Sequence, residues 1–140
     1  MSITESPLSN DIIAHERINL GNLYFFKTFL VAEYHEGIRL DFESFNEAQE
    51  VILSHFGNSE FGYVANRINS YCINITDAPH FNATLNNLKA HATVTYNSFS
   101  EMNFELESYF FDFNRKLFKS VSDASAWVES ELEEKKSVLN

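Results

Sequence analysis

The chain is poor in the residues that staple, stiffen or anchor a protein. Its 140 residues include one cysteine, which allows no internal disulfide framework and points to a reducing compartment, the cytoplasm. Two prolines and four scattered glycines leave no Gly-rich phosphate loop, no nucleophile elbow and no low-complexity linker. Basic residues are also scarce, ten against twenty acids, for a formal net charge of −10. A surface of that sign repels phosphate backbones and anionic headgroups, so neither nucleic acid nor plain membrane surface is expected as a partner. Nor is there a run of about 18 apolar residues able to span a bilayer. The greasiest stretch, residues 23–32, is broken by Lys27. The first ten residues carry Glu5 and Pro7 and lack the basic-then-apolar pattern of a secretory signal. The sequons at Asn74 and Asn82 are therefore read as chance matches.

What the chain does have is phenylalanine, fourteen of them. Ile, Leu, Val and Phe together make up 42 of the 140 residues, well above the roughly 20% below which chains stay disordered. That is enough for one core and too short for two. One domain over residues 12–134 is expected, with an N-terminal extension at 1–11 and a tail at 135–140.

Along the chain, residues 12–20 read as an exposed strand, Gly21-Asn22 as a tight turn, and the aromatic-rich stretch 23–34 as the returning strand. His35-Glu36-Gly37 is a break before a short return at 38–40. Ser44-Phe45-Asn46-Glu47 has the form of a capping box, opening a helix with Phe45, Ala48, Val51, Ile52 and Phe56 on one face and Gly57 as its stop. A buried strand at 61–65 hands over to a polar loop at 66–71. Asp77-Ala78-Pro79 starts a second helix, with Phe81, Leu85 and Leu88 facing inward. A strand at 91–96 precedes a second capping box, Ser98 to Glu101, and a helix through Met102, Leu106 and Phe110. A last strand at 117–121 leads to a helix capped by Ser122, whose inner face is Ala124, Trp127, Val128 and Leu132. Lys135 and Lys136 suit its C-terminus. Helices alternating with strands predict an α/β fold: a mixed, mainly parallel sheet of four or five strands, flanked by helices and opened by an N-terminal hairpin.

Three segments carry a resemblance: Gly37-Ile38-Arg39-Leu40 before the first helix, residues 63–71 after the third strand, and residues 117–128, a strand leading through small residues to Trp127. In this order the chain resembles the STAS superfamily, in its SpoIIAA-like (STAS/SEC14-like) branch, over roughly residues 18–132. The resemblance implies a regulatory module, in a family whose members mostly bind proteins, nucleotides or lipids. In STAS proteins that antagonise anti-sigma factors, a phosphorylated Ser lies in an Asp-Ser-(Ser/Thr)-Gly stretch. The corresponding place here is Ser70, flanked by Asn69 and Tyr71.

The expected site is the 66–71 loop. Ligands of open α/β sheets sit beyond the carboxyl ends of the strands, and Asn66, Arg67, Asn69, Ser70 and Tyr71 offer amide, guanidinium, hydroxyl and phenol groups there. Arg67 suits a carboxylate or phosphate in bidentate fashion; the alternative is that these groups satisfy an irregular turn while Arg67 pairs with a nearby acid. The five histidines, at 15, 35, 55, 80 and 91, lack metal-ligand spacing; His80 and His91 alone could meet, and two ligands do not make a zinc site. Cys72, between Tyr71 and Ile73, reads as a small buried apolar residue with no base to activate it. Pairs such as Glu33 with Glu36 are what twenty acids give by chance. No catalytic residue, metal or cofactor is expected.

One aromatic run is harder to place. Residues 109–113 hold four aromatics in five positions, and a single helix face cannot bury them all. Core, a dimer interface and a ligand pocket are the readings left open. The functional expectation is a non-catalytic module binding a protein or small ligand near 66–71, with self-association through exposed aromatics. The alternatives are a carrier of an apolar or lipid-like ligand and an enzyme with an unrecognised site.

Overall fold

In the computed structural model, residues 1–139 are described, with side chains through Glu134. The expected C-terminal tail and its Lys135 and Lys136 lie outside the described side chains. The strands are β1 (Ala14–Ile18), β2 (Gly21–Phe25), β3 (Phe29–Tyr34), β4 (Arg39–Leu40), β5 (Phe61–Arg67), β6 (Cys72–Ile73), β7 (Leu88–Thr95) and β8 (Arg115–Phe118). The helices are α1 (Asn46–Phe56), α2 (Ala78–Thr84), α3 (Ser98–Glu107) and α4 (Val121–Leu139). Six strands form one sheet in the order β1-β2-β3-β5-β7-β8, and β4 pairs with β6 apart from it. The pairs β1–β2 and β2–β3 are antiparallel; β3, β5, β7 and β8 run parallel. The sheet is thus mixed and mainly parallel, one or two strands wider than expected.

The extra strand comes from residues 23–34, which are two strands and not one: Phe26, Lys27 and Thr28 turn the chain between β2 and β3. The first turn falls at Asn19 and Leu20, and Gly21, expected in the turn, opens β2. Its φ of 148° and the backbone of Glu33, 2.4 Å from where a Cβ would sit, explain why glycine stands there.

The central strands β2, β3, β5 and β7 divide their side chains between two cores. Tyr63 and Ala65 of β5 join Phe25, Leu30, Phe45, Ala48, Ile52, Phe56 and Phe81 under α1 and α2. Val64 joins Val31, Ala92 and Val94 under α4, where Ala124, Val128 and Leu132 face inward as their spacing predicts. Gly62 lets α4 approach: a Cβ there would lie 2.0 Å from Val128 Cγ1. The first eleven residues form two short 3-10 turns on the α4 face, where Ile3 is wholly buried.

Neither capping box forms. Ser44 exchanges bonds with Asp41, and Glu47 reaches across to accept from Asn19 N–H. At α3 the cap is Asn97, whose side chain accepts from Ser100 N–H. At α4 it is Ser120, not Ser122, that accepts from Asp123 N–H. At α3 and α4 an oxygen one or two residues upstream takes the exposed donor, whereas α1 has no side-chain cap. Leu88 belongs to β7 and not to the α2 face, and Cys72 is exposed because β6 pairs at the periphery.

Candidate functional site

The expected loop is half strand. Asn66 and Arg67 are the last two residues of β5, both fully buried, and successive strand residues point to opposite faces. The five residues singled out by sequence therefore do not converge on one pocket.

Asn66 faces the α4 side, where it meets Glu33. The Glu33 carboxylate accepts from Asn66 Nδ2 (2.7 Å), Ile3 N–H (2.7 Å) and the Ser2 hydroxyl (2.7 Å). Asn66 Nδ2 and the Tyr96 hydroxyl both donate to the Met1 carbonyl, at 2.9 and 3.1 Å. The carboxyl rim of the sheet, where an open α/β fold takes its ligands, is thus filled on this face by the protein's own first residues.

Arg67 faces the other way. Parallel register sets Arg67 beside Thr95, Ala65 beside Thr93 and Leu117, and Tyr63 beside His91 and Arg115. This half of the face is polar, and α3 covers it with polar residues. Glu107 Oε1 accepts from Arg67 Nη2 at 2.7 Å and from Arg115 Nη2 at 2.9 Å, with all three side chains buried. A buried carboxylate shared by two guanidiniums is costly to desolvate, and more costly to break. The Arg67 guanidinium also lies over the Tyr71 ring at 5.0 Å, and Arg115 lies over Phe104 at 4.3 Å. Burial opposes the Arg67 charge, but Tyr71 and Glu107 outweigh it and hold its pKa above the usual value. For Arg115 burial and the Arg67 charge prevail over Glu107, and its pKa is lowered. Arg67 thus pairs with an acid through Nη2, while its buried Nε and Nη1 make no hydrogen bond.

Behind this triad, Tyr63 hydrogen-bonds Tyr34 through their hydroxyls and stacks on His91 at 5.0 Å. Burial, then the charges of Arg115 and Arg67, hold His91 well below the usual imidazole range. A cleft of about 50 Å³ opens here, lined by Tyr63, Phe81, Leu88, His91, Phe113 and Arg115. The rest of the segment is held by its backbone: Asn69 Nδ2 donates to the Tyr34 carbonyl, Ser70 N–H to Glu36, and the Ser70 carbonyl accepts from Gly37. Ser70 leads into β6 and not into a helix. His80 packs on Phe42 rather than joining His91, and among the described residues no three His, Cys, Asp or Glu gather as a metal site would.

The polar lining reverses α3. Ser100 and Glu107 are buried, while Phe99, Met102 and Leu106 are 50, 71 and 49% exposed. In the turn that continues the helix, Tyr109 is 86% and Phe110 44% exposed. The face expected inside, Met102, Leu106 and Phe110, is outside. Of the aromatic run, Phe111 and Phe113 pack against the α1–α2 core, whereas Tyr109 and Phe110 do not. Sequence reading missed Glu107, Arg115 and His91 as a group. The available signal was the polar stripe Ser100, Asn103, Glu107 at helical spacing, on a helix next to a strand carrying Thr93 and Thr95.

Comparison with known proteins bears on the fold. No family model and no curated protein matches the chain. Among solved structures, it is similar to an uncharacterized protein from the DUF3478 family with a SpoIIAA-like fold, from Shewanella loihica PV-4. The match covers 82% of this chain and 90% of that one, at 15% identity and a TM-score of 0.52. Likeness at that identity speaks to architecture, and what it establishes is that this chain has a SpoIIAA-like fold.

Proposed function

We propose that the chain is a non-catalytic, regulatory interaction module that presents the outer surface of α3 to a protein partner. The observation that carries this is the reversal of α3. Five large apolar side chains, 44 to 86% exposed, lie along α3 and the turn that follows it, while the helix is pinned from within by Glu107. Soluble monomers rarely leave an apolar patch larger than a few hundred Å² without a use for it. Behind the helix Glu107 pairs with two arginines and Tyr34 with Tyr63, while Arg67 Nε and Nη1, His91 Nδ1 and the Thr93, Thr95 and Ser100 hydroxyls make no hydrogen bond there; on the opposite face Glu33 binds Asn66 and Ile3. Segment 66–71 enters as the anchor of that surface, because Arg67, with the Tyr71 ring against its guanidinium, binds the carboxylate that holds α3. Regulation through Ser70 fits the same scheme. A phosphate there would crowd Glu36, which holds its N–H, and loosen the turn beneath Arg67. The exposed Cys72 thiol suits a reducing compartment, so the module works in the cytoplasm. Among the described residues, no helix is long and apolar enough to cross a membrane.

A carrier function has the cleft beside His91 in its favour. At about 50 Å³ it has room for a few waters, against roughly 300–1,000 Å³ for pockets that enclose drug-sized ligands, so we place the interaction reading first.

The test is a photo-crosslinking amino acid at Met102, with Glu129 on the outer side of α4 as control, in cells. A discrete, reproducible adduct from position 102 and none from 129 is the expected result. No adduct from 102, or equal smears from both, would defeat the proposal.

A further inference from the structure

Deepening that reading, and resting on it, we infer that the α3 stripe takes a second copy of this chain, through antiparallel α3–α3 packing about a two-fold axis. Phe99, Met102, Leu106 and Tyr109 are spaced three, four and three residues apart, the seam spacing by which two helices mesh side chains into each other's gaps. Two features of the seam make it self-complementary. Its spacing is unchanged by reversal, so an antiparallel copy sets Met102 against Leu106 of its mate and Phe99 against Tyr109 of its mate. Its sizes are also unchanged by reversal: an aromatic at each end, an unbranched or γ-branched aliphatic at each middle position. Isologous two-fold pairing needs a surface of this kind, and a heterologous partner does not require it.

The area agrees. The exposed parts of these four residues and Phe110 come to roughly 600 Å² of accessible surface, from the 150–250 Å² that large side chains offer. That is most of the roughly 800 Å² per partner of a standard interface, before any flanking residue is counted. The seam lies on a helix whose C-terminal end is anchored from within. Glu107, one residue past Leu106, is fixed by Arg67 and Arg115, so little order has to be created on association.

Charge sets the character of the dimer. Each copy carries a formal −10, and the flanking Glu101 is neutralised by Lys119 at 2.7 Å. Glu105, on the same side of the seam, would approach its symmetry mate. Association is therefore driven by apolar contact against like-charge repulsion, and screening helps it. Raising sodium chloride should tighten the dimer. A basic partner helix, the other occupant an acidic surface could favour, would be released by the same salt.

The experiment is sedimentation equilibrium of the full chain from low micromolar to sub-millimolar protein, at low and high sodium chloride. A reversible monomer–dimer equilibrium that strengthens with salt is the expected result. Leu106→Lys, which places a charge in both halves of the seam, should weaken the dimer roughly a hundredfold or more. Met102→Lys should do the same, and Leu53→Lys, an exposed leucine on α1, should leave the equilibrium unchanged. Far-UV circular dichroism verifies that each variant is folded. A strictly monomeric chain throughout overturns the inference, as does a dimer indifferent to both seam variants. If the chain is monomeric while position 102 still gives a discrete adduct to another protein in cells, the inference falls and the interaction reading stands. If neither association appears, both fall.

Discussion

α4 and α3 lie on opposite faces of one sheet and follow opposite rules. α4 buries Ala124, Val128 and Leu132 against Val31, Val64 and Val94 and turns its glutamates to solvent. α3 buries Ser100 and Glu107 and turns Phe99, Met102 and Leu106 outward. The difference originates in the strands beneath. The α4 side of β7 is Ala90, Ala92 and Val94; the α3 side is His91, Thr93 and Thr95, flanked by Arg67. A helix laid on buried arginine must bring a carboxylate, and the residues on its other side are then left facing water. The exposed apolar stripe of α3 follows from the electrostatics of the core, which segment 66–71 supplies through Arg67.

The comparison can be broken most sharply at Glu107. Glu107→Gln leaves two buried guanidiniums without a counter-charge, and the loss should be about 3–5 kcal/mol of unfolding free energy by urea titration. A loss below about 1 kcal/mol, within the range of exposed ion pairs, would mean that α3 is held by something other than this triad.

A smaller effect sharpens the contrast between the faces through pH. His91 is half-buried on the α3 side with its pKa held down, so between its folded value and the unfolded value of about 6.5 the unfolded chain binds the extra proton. Stability from this group is complete above about pH 6.5 and declines as pH falls below it. Denaturation curves over that range should show the decline, and His91→Asn should flatten it. An unchanged slope in the variant would remove His91 from the account.

Much of the architecture is legible in the sequence because it rests on period and punctuation. The spacing of Ala48, Ile52 and Phe56 with Gly57 behind them places α1, and Ala124, Val128 and Leu132 place the inner face of α4. The strand break at Lys27 is hidden because Phe26 and Phe29 flank it with residues as apolar as the strands themselves. The caps are missed because the oxygens that serve them, on Asn97 and Ser120, stand just upstream of the motif that resembles a cap. α3 is inverted because its apolar stripe is the stronger periodic signal, and an apolar stripe is ordinarily the buried one. Its inward face was set by Arg67, forty residues away in sequence, and no local pattern carries that information. The site residues were recognised as polar and clustered, but strand alternation sends Asn66 and Arg67 to opposite faces once β5 runs two residues longer than 61–65.

Paired leucine truncation tests the inside-out arrangement of α3 most directly. Leu132→Ala on α4 and Leu106→Ala on α3 remove the same atoms, and unfolding free energies are to be measured in protein dilute enough to be monomeric. Leu132→Ala should cost about 2–5 kcal/mol by emptying a packed core site. Leu106→Ala should stay within about 0.5 kcal/mol of the unaltered chain, as exposed substitutions do. Equal, large losses at the two positions would place Leu106 in the core and contradict the account.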